Sequence, residues 1–291
     1  MKKVLLSLGL GLIGLFTAQQ ASAQGAYVRI AGGYAIEASK DVVGQRLEVD
    51  ANGAGISKRN LYGANGAGGV VRVAGGYMFT PHVGVDLDFS YLLGAKVMNN
   101  EFVSPTLTDI TTDHTNQLRT TLSLVMDAGM KKISPYSRVG IMLPLMGKTF
   151  QMRTQEAPTY TYERNVEVSG SFSLGFEAGL GVRYNLTHHL SLSVEAYYSA
   201  VRIKSNEATI VLDQTTDTAS GTVTNNLEGA STFSTQIVFQ DEITTSSNSL
   251  DTDVIANSVD FNAPVNLQSR KNNYNGIGFN VGVKYSFGHG E

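Results

Sequence analysis

The side chains most able to do acid–base or nucleophilic chemistry here are five histidines, at positions 82, 114, 188, 189 and 289, since the chain has no cysteine. Nucleophilic catalysis needs a Ser or Thr with a base in hydrogen-bond reach. His82, His188 and His189 fall in short turns, His114 in a loop and His289 in the C-terminal tail, and none stands beside a serine on a strand. His188-His189 has no third ligand at a recognisable metal spacing. The lack of cysteine removes thiolate metal sites, a disulfide framework and a lipoprotein anchor together. The sequence therefore predicts no catalytic residue, no cofactor site and no metal site, and a non-enzymatic protein.

A second set of residues is more informative. Arg29, Arg72, Arg119, Arg138, Arg183 and Lys284 each occupy the polar phase of an alternating apolar–polar segment, as do Asp86, Asp88, Asp127, Glu177 and Glu195. Six bases facing five acids in a confined space must pair or be solvated, because an isolated buried ion costs several kcal/mol. Two outcomes follow: a plug of ion pairs, or a narrow pore whose charge sets selectivity.

The elements that carry these charges are eight strands of period two: 27–36, 70–79, 83–91, 118–127, 136–145, 172–184, 190–203 and 274–287. The third is the plainest, with Val83, Val85, Leu87, Phe89 and Tyr91 against Gly84, Asp86, Asp88 and Ser90. Two internal echoes link strands. Arg29–Tyr34 nearly repeats Arg72–Tyr77, and Tyr77–Asp88 parallels Tyr184–Glu195. The second, fourth and sixth connections are tight, and the first, third, fifth and seventh are long. Short inner turns alternating with long outer loops, on strands that put apolar residues outward, is the pattern of a barrel in an outer membrane with both termini in the periplasm. A Lys at Leu87 or Val281, on the expected lipid face, should cost ~2–4 kcal/mol, and at Ser90 or Ser286, on the lumen side, less.

The N-terminus agrees. Met1-Lys2-Lys3, an apolar run from Val4 to Phe16 and the Ala21-Ser22-Ala23 site form a secretory signal peptide over 1–23. The domain proper is then 24–291. After Ala23 no run of eighteen apolar residues occurs, so no helix of the required length is expected to span a bilayer. A formal charge of −3 gives no basis for nucleic-acid binding.

The seventh connection is unusual. Residues 205–269 hold nine acids and no Lys or Arg, and are read as a long acidic extracellular loop. Its acids are scattered and match no calcium-loop spacing. Thr209–Leu212 and Phe233–Phe239 have β-like character, so a hairpin there, or a ten-stranded barrel, is a further expectation.

The last strand closes with Asn280-Val281-Gly282-Val283-Lys284-Tyr285-Ser286-Phe287. This resembles the C-terminal assembly signal of bacterial outer-membrane proteins at Asn280, Gly282, Tyr285 and Phe287. Four residues follow Phe287, where the family usually ends on the aromatic. The whole mature chain resembles the small eight-stranded barrels of the OmpA/OmpX/OmpW type, in the broad outer membrane protein beta-barrel family. That resemblance implies an all-β, eight-stranded, antiparallel up-and-down transmembrane barrel, monomeric and without a C-terminal peptidoglycan-binding domain. It also implies outer-membrane lipid, lipopolysaccharide and the barrel assembly machinery as partners. The function expected is envelope structure and surface recognition, through a surface ligand of the 205–269 loop. A narrow ion or solute channel is the alternative, and a lipid A-modifying barrel enzyme a distant third.

Overall fold

The computed structural model describes residues 25–39, 41–250 and 258–287. The signal peptide expected over 1–23 and the tail after Phe287, including His289, lie outside them.

The eight alternating segments form a closed circuit. Its strands are β1 (Ala26–Glu37), β4 (Gly68–Met78), β5 (Val83–Gly94), β7 (Thr108–Asp127), β8 (Ile133–Glu156), β10 (Gly175–Asn185), β11 (Leu190–Ala200) and β17 (Gly276–Ser286). Each pairs antiparallel with the next, and β17 pairs with β1 from Tyr27↔Ser286 to Glu37↔Gly276. Closure removes every barrel edge, the only way strands can cross hydrocarbon with all backbone groups satisfied.

Facing follows the sequence pattern. Leu180 is 71 % exposed, Val281 63 %, Ile30 61 % and Leu122 60 %, whereas Asp88 and Thr121 are fully buried on the opposite phase. An apolar belt of this extent on a protein in water would far exceed the few hundred Å² that soluble proteins expose. Lipid is the solvent that such a surface matches.

The two turns of the 77–88 and 184–195 echo are alike in detail. Thr80 Oγ1 accepts from the His82 and Val83 N–H groups at 3.2 and 2.9 Å. Thr187 Oγ1 accepts from His189 and Leu190 at 3.2 and 3.0 Å. Each histidine then reaches the end of the neighbouring strand: His82 Nδ1 to the Asp127 carbonyl and His189 Nδ1 to the Ser286 carbonyl, both 3.0 Å. A carbonyl can only accept, so both rings carry their proton on Nδ1 in this arrangement.

The long connections differ from the sequence expectation. Strands replace the long first, third and fifth connections: β2 (Asp41–Val49), β3 (Gly55–Gly63), β6 (Val97–Val103) and β9 (Tyr160–Gly170), with β7 and β8 continuing above the barrel. The 205–269 stretch is likewise built, by β12 (Arg202–Asp217), β13 (Val223–Asn225), the single turn α1 (Thr232–Thr235), β14 (Gln236–Gln240) and β15 (Val265–Gln268). β16 (Lys271–Asn273) returns to the barrel. β12 pairs with β9 and β14, so the expected hairpin partner exists, but outside the barrel. The ten-stranded alternative is excluded, because β11 pairs directly with β17. The strand read as 190–203 stops at Ala200, and Arg202 opens a new strand; the odd-numbered positions stay buried through Val201 and Ile203, but the inward side chains there are apolar, where those of β11 are mostly polar. Val166, Ala208 and Ile210 form a small core there, with Leu227, Ile237 and Phe239 packed on it. The acidic stretch is thus a folded cap with its own apolar centre.

Candidate functional site: the occluded lumen

All eleven charged residues assigned to the inner phase point into the barrel. β5 supplies Asp86 and Asp88, β10 Glu177 and β11 Glu195; β1, β4 and β8 supply Arg29, Arg72 and Arg138. Alternation alone puts them on one side, and strand stagger brings them to one level.

Arg72 meets Glu177 through two parallel bonds of 2.7 and 2.8 Å, the fork geometry that suits a guanidinium to a carboxylate. Arg138 bridges both glutamates, at 2.6 Å to Glu177 and at 2.8 and 2.9 Å to Glu195. Asp88 lies between Arg29 and Arg72, 3.3 Å from each. The Arg29–Tyr34 and Arg72–Tyr77 echo therefore has a physical meaning: it places guanidinium groups on adjacent strands, flanking one aspartate. Arg29 also reaches Asp86 at 3.3 Å and Glu195 at 3.5 Å. Lower down, Arg183 pairs with Asp127 at 2.7 Å, and Ser134 donates to Asp127 at 2.5 Å.

Among the described residues, two of the eleven have no carboxylate within ion-pair distance. Lys284 Nζ sits 3.7 Å over the Tyr27 ring, a cation–π contact in place of an ion pair. Arg119, 5 % exposed, donates through Nε to Gln117 Oε1 at 2.5 Å, while its terminal NH2 nitrogen has no partner.

Above and below the ion pairs the lumen is filled by apolar and aromatic side chains. Tyr27, Met78 and Val125 pack at the end with the short turns, and Ala35, Val70, Leu92 and Tyr197 pack above. Three tyrosines lie on glycines directly across the ladder: Tyr27 on Gly76, Tyr136 on Gly181 and Tyr197 on Gly278. A Cβ at Gly278 would come within 2.3 Å of the Tyr197 ring, and one at Gly76 within 2.3 Å of Tyr27. These glycines leave room for a ring to lie flat on backbone. The Tyr197 ring in turn receives the Arg72 guanidinium, 4.2 Å from its centroid. Beside the charged belt, the pocket lined by Tyr27, Arg29, Asp127 and Lys284 has a volume of about 20 Å³, room for about one water.

The histidines do not converge on a nucleophile. His82 and His189 serve the turns, and His114 stacks on Phe150 with centroids 5.0 Å apart. Among the described residues no group of three or more His, Asp or Glu could hold a metal ion. Of the predicted assembly signal, Asn280 is buried in the lumen, while Tyr285 and Phe287 face outward in an edge-to-face pair with centroids 5.1 Å apart.

Residues 8–228 match the family described as outer membrane protein beta-barrel domain. The chain belongs to that family. It is an integral β-barrel protein of the bacterial outer membrane. Solved structures similar to it include Neisserial surface protein A, at 12 % identity over 91 % of this chain and 100 % of the other, TM-score 0.36. Another is OprG from Pseudomonas aeruginosa, at 13 % identity over 94 % and 100 %, TM-score 0.43. The outer membrane protease OmpT from Escherichia coli follows at 9 % identity over 91 % and 94 %, TM-score 0.24. No curated protein sequence matches the chain significantly.

Proposed function

We propose that this protein is a non-conducting, non-enzymatic barrel. It holds a folded extramembrane cap at the cell surface for envelope structure and recognition. The observation that carries this reading is the lumen: Arg29, Arg72 and Arg138 are interlocked with four carboxylates, every one of the seven residues 5 % exposed or less. A solute on the barrel axis would have to break several charge-assisted bonds in sequence, and eight strands leave an interior that side chains can fill. The cap is where area for a partner is available. The β3–β2–β6–β7–β8–β9–β12 wall offers a broad polar surface studded with exposed acids.

The test is single-channel recording of the refolded chain in planar bilayers. The unmodified protein should give no steady conductance, and the double variant Arg138→Ala/Glu195→Ala should give one. Steady, voltage-independent current through the unmodified barrel would establish the channel reading instead. For the C-terminal strand, we propose that Tyr285 and Phe287 engage the assembly machinery. Phe287→Ala should slow insertion by that machinery while leaving spontaneous refolding in detergent unchanged.

A further inference from the structure

The barrel wall is interrupted beside β8. β8 pairs with β10 up to Met142↔Gly175 and with β9 only from Lys148↔Ser169. Between these ladders β8 has no partner on that side, and it carries Pro144, which lacks an N–H to offer. On its other side the β7–β8 register slips between Leu118 and Arg119. The result is a cleft of about 240 Å³ in the side of the barrel.

Its two ends differ in chemistry. Outside, Leu145, Met146 and Phe172 are 48, 56 and 78 % exposed and continue the apolar belt. Inside, the floor is polar: Thr149 Oγ1 lies 2.9 Å from both Thr115 Oγ1 and Tyr274 Oη, beside Gln117. Behind Gln117 stands Arg119, whose backbone is paired with Pro144 at the slip. It is the lumen arginine with no carboxylate in ion-pair range. Arg119 holds Gln117 Oε1, which leaves the Gln117 amide NH2 as a donor with a buried, unneutralised cation behind it. Among the described residues the lumen thus keeps one guanidinium without a carboxylate partner, next to a cleft whose outer rim carries exposed apolar side chains.

We propose that this cleft binds a single-chain anionic amphiphile of the fatty-acid type. Its carboxylate is seated at the Gln117 amide in the field of Arg119, and its chain is laid against Leu145, Met146 and Phe172. A carboxylate supplies the charge that the network lacks, and a burial cost already borne by Arg119 is relieved on binding. An uncharged chain of the same length would gain the apolar contacts alone.

The experiment is titration of oleate, 13C-labelled at the carboxyl carbon, into the full chain refolded in nanodiscs of uncharged phospholipid, read by the carboxyl resonance. Saturable binding is expected, at least tenfold weaker in Arg119→Met, partly restored in Arg119→Lys, and abolished in Ser171→Trp, which fills the cleft without touching Arg119. Heat-modifiable migration on gels confirms that each variant is folded. Three results would overturn the proposal: no saturable binding, equal oleate affinity in Arg119→Met, or oleyl alcohol binding as tightly as oleate. Acetate saturating the site at the same concentration would also overturn it, by reducing the site to one for small anions.

Discussion

At the scale of single residues, two buried arginines of the same lumen should respond in opposite ways to removal. Arg138→Met strands Glu177 and Glu195, whose other partners cannot replace three short bonds, and loss of one member of a buried pair typically costs ~3–5 kcal/mol. Arg119→Met removes a charge that has no carboxylate, so stability should be unchanged or higher. Urea unfolding in liposomes, followed by tryptophan-free fluorescence of the tyrosines, compares the two directly. A third residue responds to pH. Burial alone would raise the Asp109 carboxyl, but hydrogen bonds from Arg153 at 2.6 and 3.0 Å and from Gln155 hold it below the ordinary value. A depressed carboxyl contributes stability above its unfolded pKa, near 3.9, which is lost as pH falls through the folded value. Amide exchange at the upper ends of β7 and β8, corrected for intrinsic rates, should therefore accelerate below about pH 4. Asp109→Asn should show the faster exchange at neutral pH as well. The inward phase of all eleven charges was legible in the sequence, because parity is a local property. Which charges meet, and that Arg119 and Lys284 meet none, was not, since partners depend on stagger between strands far apart in the chain.

At the scale of elements, the period-two signal found the strands that face lipid and missed those that do not. Thr108–Asn116 reads Thr-Asp-Ile-Thr-Thr-Asp-His-Thr-Asn, with polar residues in both phases. Above the membrane both faces meet water, so no alternation is demanded. These strands are held by the ladder, by ion pairs such as Arg153–Asp109 and Arg46–Glu101, and by Thr-rich cross-strand neighbours. The tyrosine–glycine contacts were hidden for a related reason: Gly278 and Tyr197 are partners only once register is known. Gly278→Val should push Tyr197 off its seat and away from Arg72, at a cost of about 1–3 kcal/mol for overpacking. Tyr197→Ala in the same background should relieve most of the clash, and a double-mutant cycle would read the coupling. The expectation for Ser90 also changes with the structure. Ser90 is paired with Arg72 across the ladder and is 2 % exposed, so a Lys there meets a filled lumen and a guanidinium, and Ser90→Lys should be as damaging as a lipid-facing charge. Ser286, near the rim, keeps the mild effect expected of it.

At the scale of the whole molecule, one solvent lies outside the barrel and a salt-bridged solid inside it. Val281→Lys should cost ~2–4 kcal/mol and Ser286→Lys much less, measured by reversible unfolding in bilayers. Equal penalties would contradict the facing. The family, the barrel and its strand count were readable from the sequence because a membrane imposes its period on every strand that crosses it. The cap's architecture was not, because nothing of comparable uniformity acts on it. One consequence concerns reach. β8 runs 24 residues without interruption of the strand, about 80 Å of chain at ~3.3 Å per residue, against a hydrocarbon layer of only ~30 Å. Even tilted, its upper half carries the β8–β9 turn at Ala157 and Thr159 clear of the headgroups. In the proposed orientation, with the cap at the cell surface, what approaches the cell first would touch that tip, and the barrel beneath would serve as its footing.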